Sequence, residues 1–170
     1  HTRSSTVLVG SEMCIRDSLP DIAPDVGAVF LGGISLVSEP CASTIETFAT
    51  RAAEAGRLIM LDPNIRPGFI SDEASYRARL DRLIRRAHVV KLSVEDMVWL
   101  LGTVSPAEGA AELRDLGPRV VLVTEGADGG SAYLAGGVAQ IRPPAVTVAD
   151  TVGAGDTFNA GFLASLALSL

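Results

Sequence analysis

The chain has 170 residues, 48% of them hydrophobic and 20% charged, with a formal net charge of −6. This composition fits a globular chain and excludes a disordered one, and the acidic balance argues against a nucleic-acid-binding surface. No apolar run reaches the roughly 18 residues of a membrane helix. Cys14 and Cys41 form no CxxC pair and have no His cluster beside them, so they read as reduced thiols in a cytosolic protein and not as a zinc site.

The chain begins at His1, and Val7-Leu8-Val9 is too short for a signal-peptide core. Residues 1–18 show neither a helical nor a strand period, and the run from Ser11 to Ser18 resembles translated adaptor sequence. They are therefore expected to be a non-native or disordered tail, with the native domain beginning at Leu19.

Val26–Leu31 is a short apolar run closed by Gly32-Gly33, the pattern of a buried strand. Ser38 is placed to cap a helix with Pro40 in its first turn. Ile45, Phe48, Ala49 and Ala52 form the buried face of that helix, and Gly56 ends it. Arg57–Leu61 is the next strand, stopped by Asp62-Pro63-Asn64. Asp72 opens a second helix with Tyr76, Leu80, Leu83, Ile84 and Ala87 turned inward. Its arginines, 77, 79, 82, 85 and 86, fall largely elsewhere and read as a solvated face. His88–Leu92 is a third strand, with His88 structural, and Ser93 caps a short helix that closes at Gly102. Ser105-Pro106-Ala107-Glu108 has capping-box spacing with Pro at the first helical position, so a helix runs from there to Gly117-Pro118. Arg119–Thr124 is a fourth strand. Ser131–Ala135 and Val138–Arg142 alternate about Gly136-Gly137, a two-residue hairpin. After Pro143-Pro144 a short strand leads to Asp150, and a last helix runs toward Leu170.

Strands alternating with helices predict an α/β fold, with a mostly parallel sheet covered on both faces and right-handed crossovers. Ligands in such sheets bind beyond the carboxyl ends of the strands. The polar, Gly-rich segments 62–66, 93–96, 124–130 and 150–156 are therefore expected on one rim.

The most specific segment is Asp150-Thr151-Val152-Gly153-Ala154-Gly155-Asp156, just ahead of the last helix. Gly153, Ala154 and Gly155 leave their amides uncovered where a helix begins, and unpaired amides with the positive end of the helix dipole hold an anion, most often a phosphate. A carboxylate is a poor choice for binding phosphate and a good one for a base acting on a hydroxyl that attacks phosphorus. That assigns the base to Asp156.

The run from Asp150 to Leu163 resembles, position by position, the C-terminal signature of the ribokinase-like (PfkB-type) carbohydrate kinases. The resemblance implies a three-layer α/β/α fold and transfer of the ATP γ-phosphoryl group to a sugar hydroxyl. It implies Asp156 as catalytic base, the amides of Gly153, Ala154 and Gly155 as the anion hole, and a monovalent cation, potassium, near Asp150 and Val152. Thr124, Gly126 and Gly129 resemble the family's Thr-x-Gly-x-x-Gly nucleotide loop, whose glycines let the backbone approach a triphosphate. Lys91-Leu92-Ser93-Val94-Glu95-Asp96 falls where the family carries Asn-x-x-Glu, which places Lys91 and Ser93 on the nucleotide and an acid on magnesium through water. Here Ser replaces Asn and Asp replaces Glu. Asp96 is the first choice for that acid and Glu95 its rival, and Ser93 with Asp96 also has the spacing of a helix cap. Asp62-Pro63-Asn64-Ile65-Arg66-Pro67 resembles the segment of fructokinases and 2-keto-3-deoxygluconate kinases, which implies that Asp62 and Asn64 lie near the phosphate and sugar ends of the cleft and that Arg66 meets phosphate or substrate. Gly32-Gly33-Ile34-Ser35-Leu36 is also similar to the fructokinase subgroup and is expected near the cleft floor.

The resemblance runs from Val26 onward and covers part of the family fold, without its first strands and small β-sheet lid. Residues 19–170 are thus expected to be a partial ribokinase-like domain, inactive alone because lid closure excludes water from such transfers. ATP, Mg2+, potassium and a small-molecule sugar are the implied ligands, with a homodimer for the full-length cytoplasmic enzyme and no membrane or nucleic-acid partner. A 2-keto-3-deoxygluconate kinase is the rival within the class, and a non-catalytic nucleotide-binding or association fragment the rival outside it. A Rossmann module needs G-x-G-x-x-G after an early strand with an acid about 20 residues later, and Gly153-Ala154-Gly155 comes too late for that.

Overall fold

The computed structural model describes residues 5–9, 19, 21–144, 147 and 150–168. Strands β1 (Ser5–Val9), β2 (Val26–Gly32), β3 (Leu58–Asp62), β4 (Val89–Ser93) and β5 (Val120–Thr124) lie side by side in chain order, all parallel. A hairpin of β6 (Gly130–Leu134) and β7 (Gly137–Ile141) adds two antiparallel strands beyond β5. Because the strand order advances in one direction, right-handed crossovers put the connecting helices on one face. Helices α1 (Cys41–Glu54), α2 (Glu73–Arg86), α3 (Val94–Leu101) and α4 (Pro106–Leu116) pack there, and α5 (Ala154–Leu168) covers part of the other face.

Alternation along each strand divides the core accordingly. Val29, Leu31, Ile59, Leu61, Val90, Leu92, Val121 and Val123 join Ile45, Phe48, Leu80, Leu83 and Leu113 in a cluster of 24 buried residues. Phe30, Met60, Val89 and Leu122 point the other way, where α5 adds Leu163, and among the described residues that cluster has five buried members. At about 1.5–3 kcal/mol per buried large apolar side chain, the first face stabilises the fold and α5 is the lightly anchored element.

Helix starts follow local chemistry. Asp72 accepts from the Ser75 amide at 3.0 Å. Ser93 and Asp96 form a reciprocal capping box on α3, and Gly102 ends that helix in the left-handed conformation at φ 74°. Ser105 accepts from the Glu108 amide, while the Glu108 carboxylate takes the Thr103 hydroxyl instead of reaching back. Ser38 does not cap α1 with its side chain. The Glu39 carboxylate accepts from the Ser43 amide at 3.1 Å, because a longer acid one residue closer reaches the open first turn.

The hairpin turn also differs from expectation. Leu134 pairs with Gly137, so Ala135-Gly136 form the loop and Gly137 belongs to β7. That register sets Tyr133 opposite Val138, with the Tyr133 ring packed against the main core.

Residues 5–9, expected in the tail, pair with β2 as an edge strand, as a run containing Thr, Val and Leu can. The adaptor-like residues 11–18 and most of the short strand expected after Pro144 lie outside the described residues. Four of the α2 arginines pair with acids, Arg77 with Glu73 at 2.7 Å, Arg85 with Asp81 at 2.9 Å, Arg79 with Glu39 and Arg82 with Glu46, while Arg86 donates to the Arg82 carbonyl. His88 is structural, its Nδ1 accepting from the Ile59 amide at 3.1 Å.

Candidate active site

The carboxyl ends of β3, β4 and β5 and the head of α5 meet on one rim. There a cleft opens with two lobes. The larger, about 590 Å³, is lined by Asn64, Arg66, Lys91 and Trp99, among others. The smaller, about 410 Å³, is lined by Gly126, Gly129, Arg142 and Phe158, among others. Ser93, Glu95, Thr124 and Gly155 border both, so the lobes adjoin across these four residues.

The head of α5 is shaped by a short turn. The Asp150 carboxylate accepts from the Val152 amide at 2.9 Å, and Gly153 takes φ 79°, a conformation that favours glycine. The Ala154 amide donates to the Thr151 carbonyl at 3.2 Å, while Gly155 and Asp156 keep first-turn amides with no acceptor among the described residues. Of the three amides expected to form the anion hole, the Ala154 amide is thus engaged in the turn, and the Asp156 amide joins Gly155 as an open donor. Asp156 itself is exposed in the first turn of α5, outside the lining of either lobe. Asp150 and Val152 are likewise exposed and line neither lobe.

On the larger lobe, the loop after β3 is tightly specified. Asn64 adopts a left-handed φ of 41° while its amide donates to Asp62 Oδ1 at 3.2 Å. The Ile65 amide donates to Asp96 Oδ1 at 2.7 Å, and the Arg66 guanidinium donates to the Ile65 carbonyl at 3.0 Å. Gly33 stands directly behind the loop, where a Cβ would lie 1.7 Å from the Pro63 carbonyl oxygen.

The two candidate metal acids have different surroundings. Asp96 is 4% exposed, and its oxygens accept from the amides of Ile65 and Ser93 and from the Ser93 hydroxyl. Glu95, one residue earlier, is exposed and borders both lobes. Burial, and after it the Asp96 charge, pushes the Tyr76 phenol up to about 12. Among the described residues no three His, Cys, Asp or Glu side chains cluster to hold a metal by themselves.

The contact between Asp62, expected near the cleft, and Asn159, inside the segment 150–163, was not foreseen. Both are buried: Asp62 Oδ2 accepts from Lys91 Nζ and from Asn159 Nδ2, and Lys91 Nζ lies against Gly155. Their separation of 97 residues left no local signal.

Residues 17–170 match the family described as pfkB family carbohydrate kinase. The chain belongs to this family. A fructokinase of Rhizobium leguminosarum bv. trifolii is 45% identical over 154 residues, which are 91% of this chain and 47% of that protein. The fructokinase of Vibrio cholerae O395 with fructose, ADP and a calcium ion has a TM-score of 0.74 at 32% identity, over 80% of this chain and 44% of that one. The aminoimidazole riboside kinase of Salmonella enterica, with its riboside and an ATP analog, has the same TM-score at 29% identity, over 80% of this chain and 46% of that one. The chain therefore spans about half the length of these PfkB relatives. No helix among the described residues is long and apolar enough to cross a membrane.

Proposed function

We propose that the chain is part of an ATP-dependent sugar kinase, with fructose as the first substrate to test. The observation that carries this reading is the pairing of Asp156 with open amides at the head of α5, beside a two-lobed cleft. The 45% identity to a fructokinase supports fructose over 2-keto-3-deoxygluconate.

In this reading Asp156 accepts the proton of the sugar hydroxyl as its oxygen bonds to the γ-phosphorus, and the bond to the ADP oxygen breaks. The amides of Gly155 and Asp156, with Gly153 beside them, stabilise charge on the transferring group. Thr124, Gly126 and Gly129 hold the nucleotide in the smaller lobe, with Ser93 at its junction with the larger and Lys91 on the larger lobe beside it. Asn64 and Arg66 meet phosphate or substrate across the larger lobe.

Magnesium is held by one or two carboxylates together with substrate phosphates, and a lone exposed Glu95 beside the phosphate path fits that donor set. Glu95 takes this role in place of Asp96, whose oxygens are engaged. Held there, the ion would supply charge neutralisation to the phosphates. Potassium would sit at Asp150 and the Val152 carbonyl. Residues 1–18 stand outside the kinase domain in this reading. Cytoplasmic placement and pairing of two copies of the longer protein complete it.

The test is a substrate panel of fructose, aminoimidazole riboside, ribose and 2-keto-3-deoxygluconate on the longest reading frame containing this chain. Asp156→Asn should keep ATP affinity and cut kcat by about 10²–10⁴. An unchanged kcat would remove Asp156 from the base role.

A further inference from the structure

Lys91, the only lysine of the chain, is 5% exposed. Its ammonium donates to Asp62 Oδ2 at 3.1 Å. The same oxygen accepts from Asn159 Nδ2 at 2.7 Å, while Asp62 Oδ1 holds the Asn64 amide. Asp62 and Asn159 are 4% and 3% exposed. Asn159 lies one helical turn beyond Gly155, on the same side of α5. A Cβ on Gly155 would sit 3.2 Å from Lys91 Nζ, so the absence of a side chain there lets the ammonium approach the first turn of the helix.

Three buried polar groups on the thinly packed face of the sheet are an expensive way to hold a helix. Apolar residues of similar volume would pack there without the desolvation cost of two charges. What the trio supplies is a fixed place and a charge. Asp62 keeps Lys91 tolerable in the interior, Asn159 fixes Asp62 to α5, and Lys91 retains N–H donors beyond the one given to Asp62. It also lines the larger lobe.

We propose that Asp62, Lys91 and Asn159 form a buried charge lock that positions the first turn of α5, with the Lys91 ammonium as a fixed cation beside Gly155. The proposal rests on the phosphate-binding reading of α5 given above. Asp62 and Asn159 act through Lys91 and the helix, so they are positioning residues. The lock holds the Gly155 and Asp156 amides in register with β3 and β4 before any anion arrives.

The test uses the 170-residue chain and inorganic tripolyphosphate as the anion, with affinity read by calorimetry, stability by thermal unfolding, and the Gly155 and Asp156 amides by NMR. Lys91→Met is expected to lower both stability and affinity, because it strands a buried carboxylate. The charge-neutral pair Asp62→Asn with Lys91→Met is expected to recover much of the stability while affinity stays at least about tenfold weaker. Recovery of both together would overturn the proposal by reducing Lys91 to a structural group. Should neither Lys91 variant fold, Asn159→Leu decides: weakened affinity with shifted Gly155 and Asp156 amide resonances supports the lock, and no change in either overturns it. A wild-type chain that takes up no tripolyphosphate fails the phosphate reading and the lock together. Wild-type binding that these variants leave unchanged fails the lock alone.

Discussion

Asp96 accepts the amide hydrogen of Ile65 at 2.7 Å across 31 residues of chain. This bond ties the loop after β3 to the start of α3, and the other carboxylate oxygen closes the cap on Ser93. A residue expected to face a metal also clamps two walls of the cleft, while lining its larger lobe. Asp96→Ala strands the Ile65 and Ser93 amides and should cost about 2–4 kcal/mol in thermal unfolding. Glu95→Gln should stay within about 0.5 kcal/mol of wild type and weaken Mn2+·ATP binding measured by paramagnetic resonance. The opposite pattern would return the metal role to Asp96.

Gly33 and Pro63 make a second clamp, by contact alone. A methyl group at position 33 would overlap the Pro63 carbonyl oxygen, which belongs to the backbone and can yield only if the whole loop moves. Gly33→Ala is expected to destabilise by at least about 3 kcal/mol and to lower Tm by roughly 6–12 °C. A calorimetric Tm near wild type would mean the loop shifts freely.

Glu46 links α1 to α2. The hydrogen bond from Arg82 holds its carboxyl below the ordinary value of 4.5, helped by the charges of Arg82 and Arg79. A lowered native value means the contribution is fully present above pH 4.5 and fades as pH falls through the native value. Glu46→Gln should therefore cost roughly 0.5–1 kcal/mol at pH 7, with the difference narrowing once the pH falls below 4.5. Urea midpoints on either side of pH 4.5 measure this, and a gap that persists undiminished in acid would contradict it.

Residues 5–9 lie along β2 only as an edge strand. If residues 1–18 stand outside the domain, deleting them should lower Tm by no more than about 4 °C and leave the far-UV circular dichroism of the remainder intact. Collapse of that spectrum would make β1 an integral strand.

Features decided within a turn of chain were legible in the sequence. The caps at Asp72 and Ser93 and the glycine stop at Gly102 need only neighbouring residues, and they form where read. The rim was legible too, because the carboxyl ends of successive parallel strands must share an edge. Ser38 misled because Glu39, an equally local competitor, reaches the same turn. The choice between Glu95 and Asp96 was illegible for a different reason. Residue type gives two adjacent acids, and both line the larger lobe, but which one is taken up by the Ile65 amide depends on how α3 is rotated against the loop from β3. The meeting of Asp62, Lys91 and Asn159 joins three elements distant in sequence, and only packing brings them together.

The face on which α5 rests sets an order of events on warming. Among the described residues α5 buries only Asn159 and Leu163, while four helices share the dense cluster across the sheet. Amide protons of the first α5 turn should then exchange through local opening at a lower free energy than those of β3 and β4. Asp156 sits on the element that loosens first, so the proposed base would lose its alignment while the sheet is still folded.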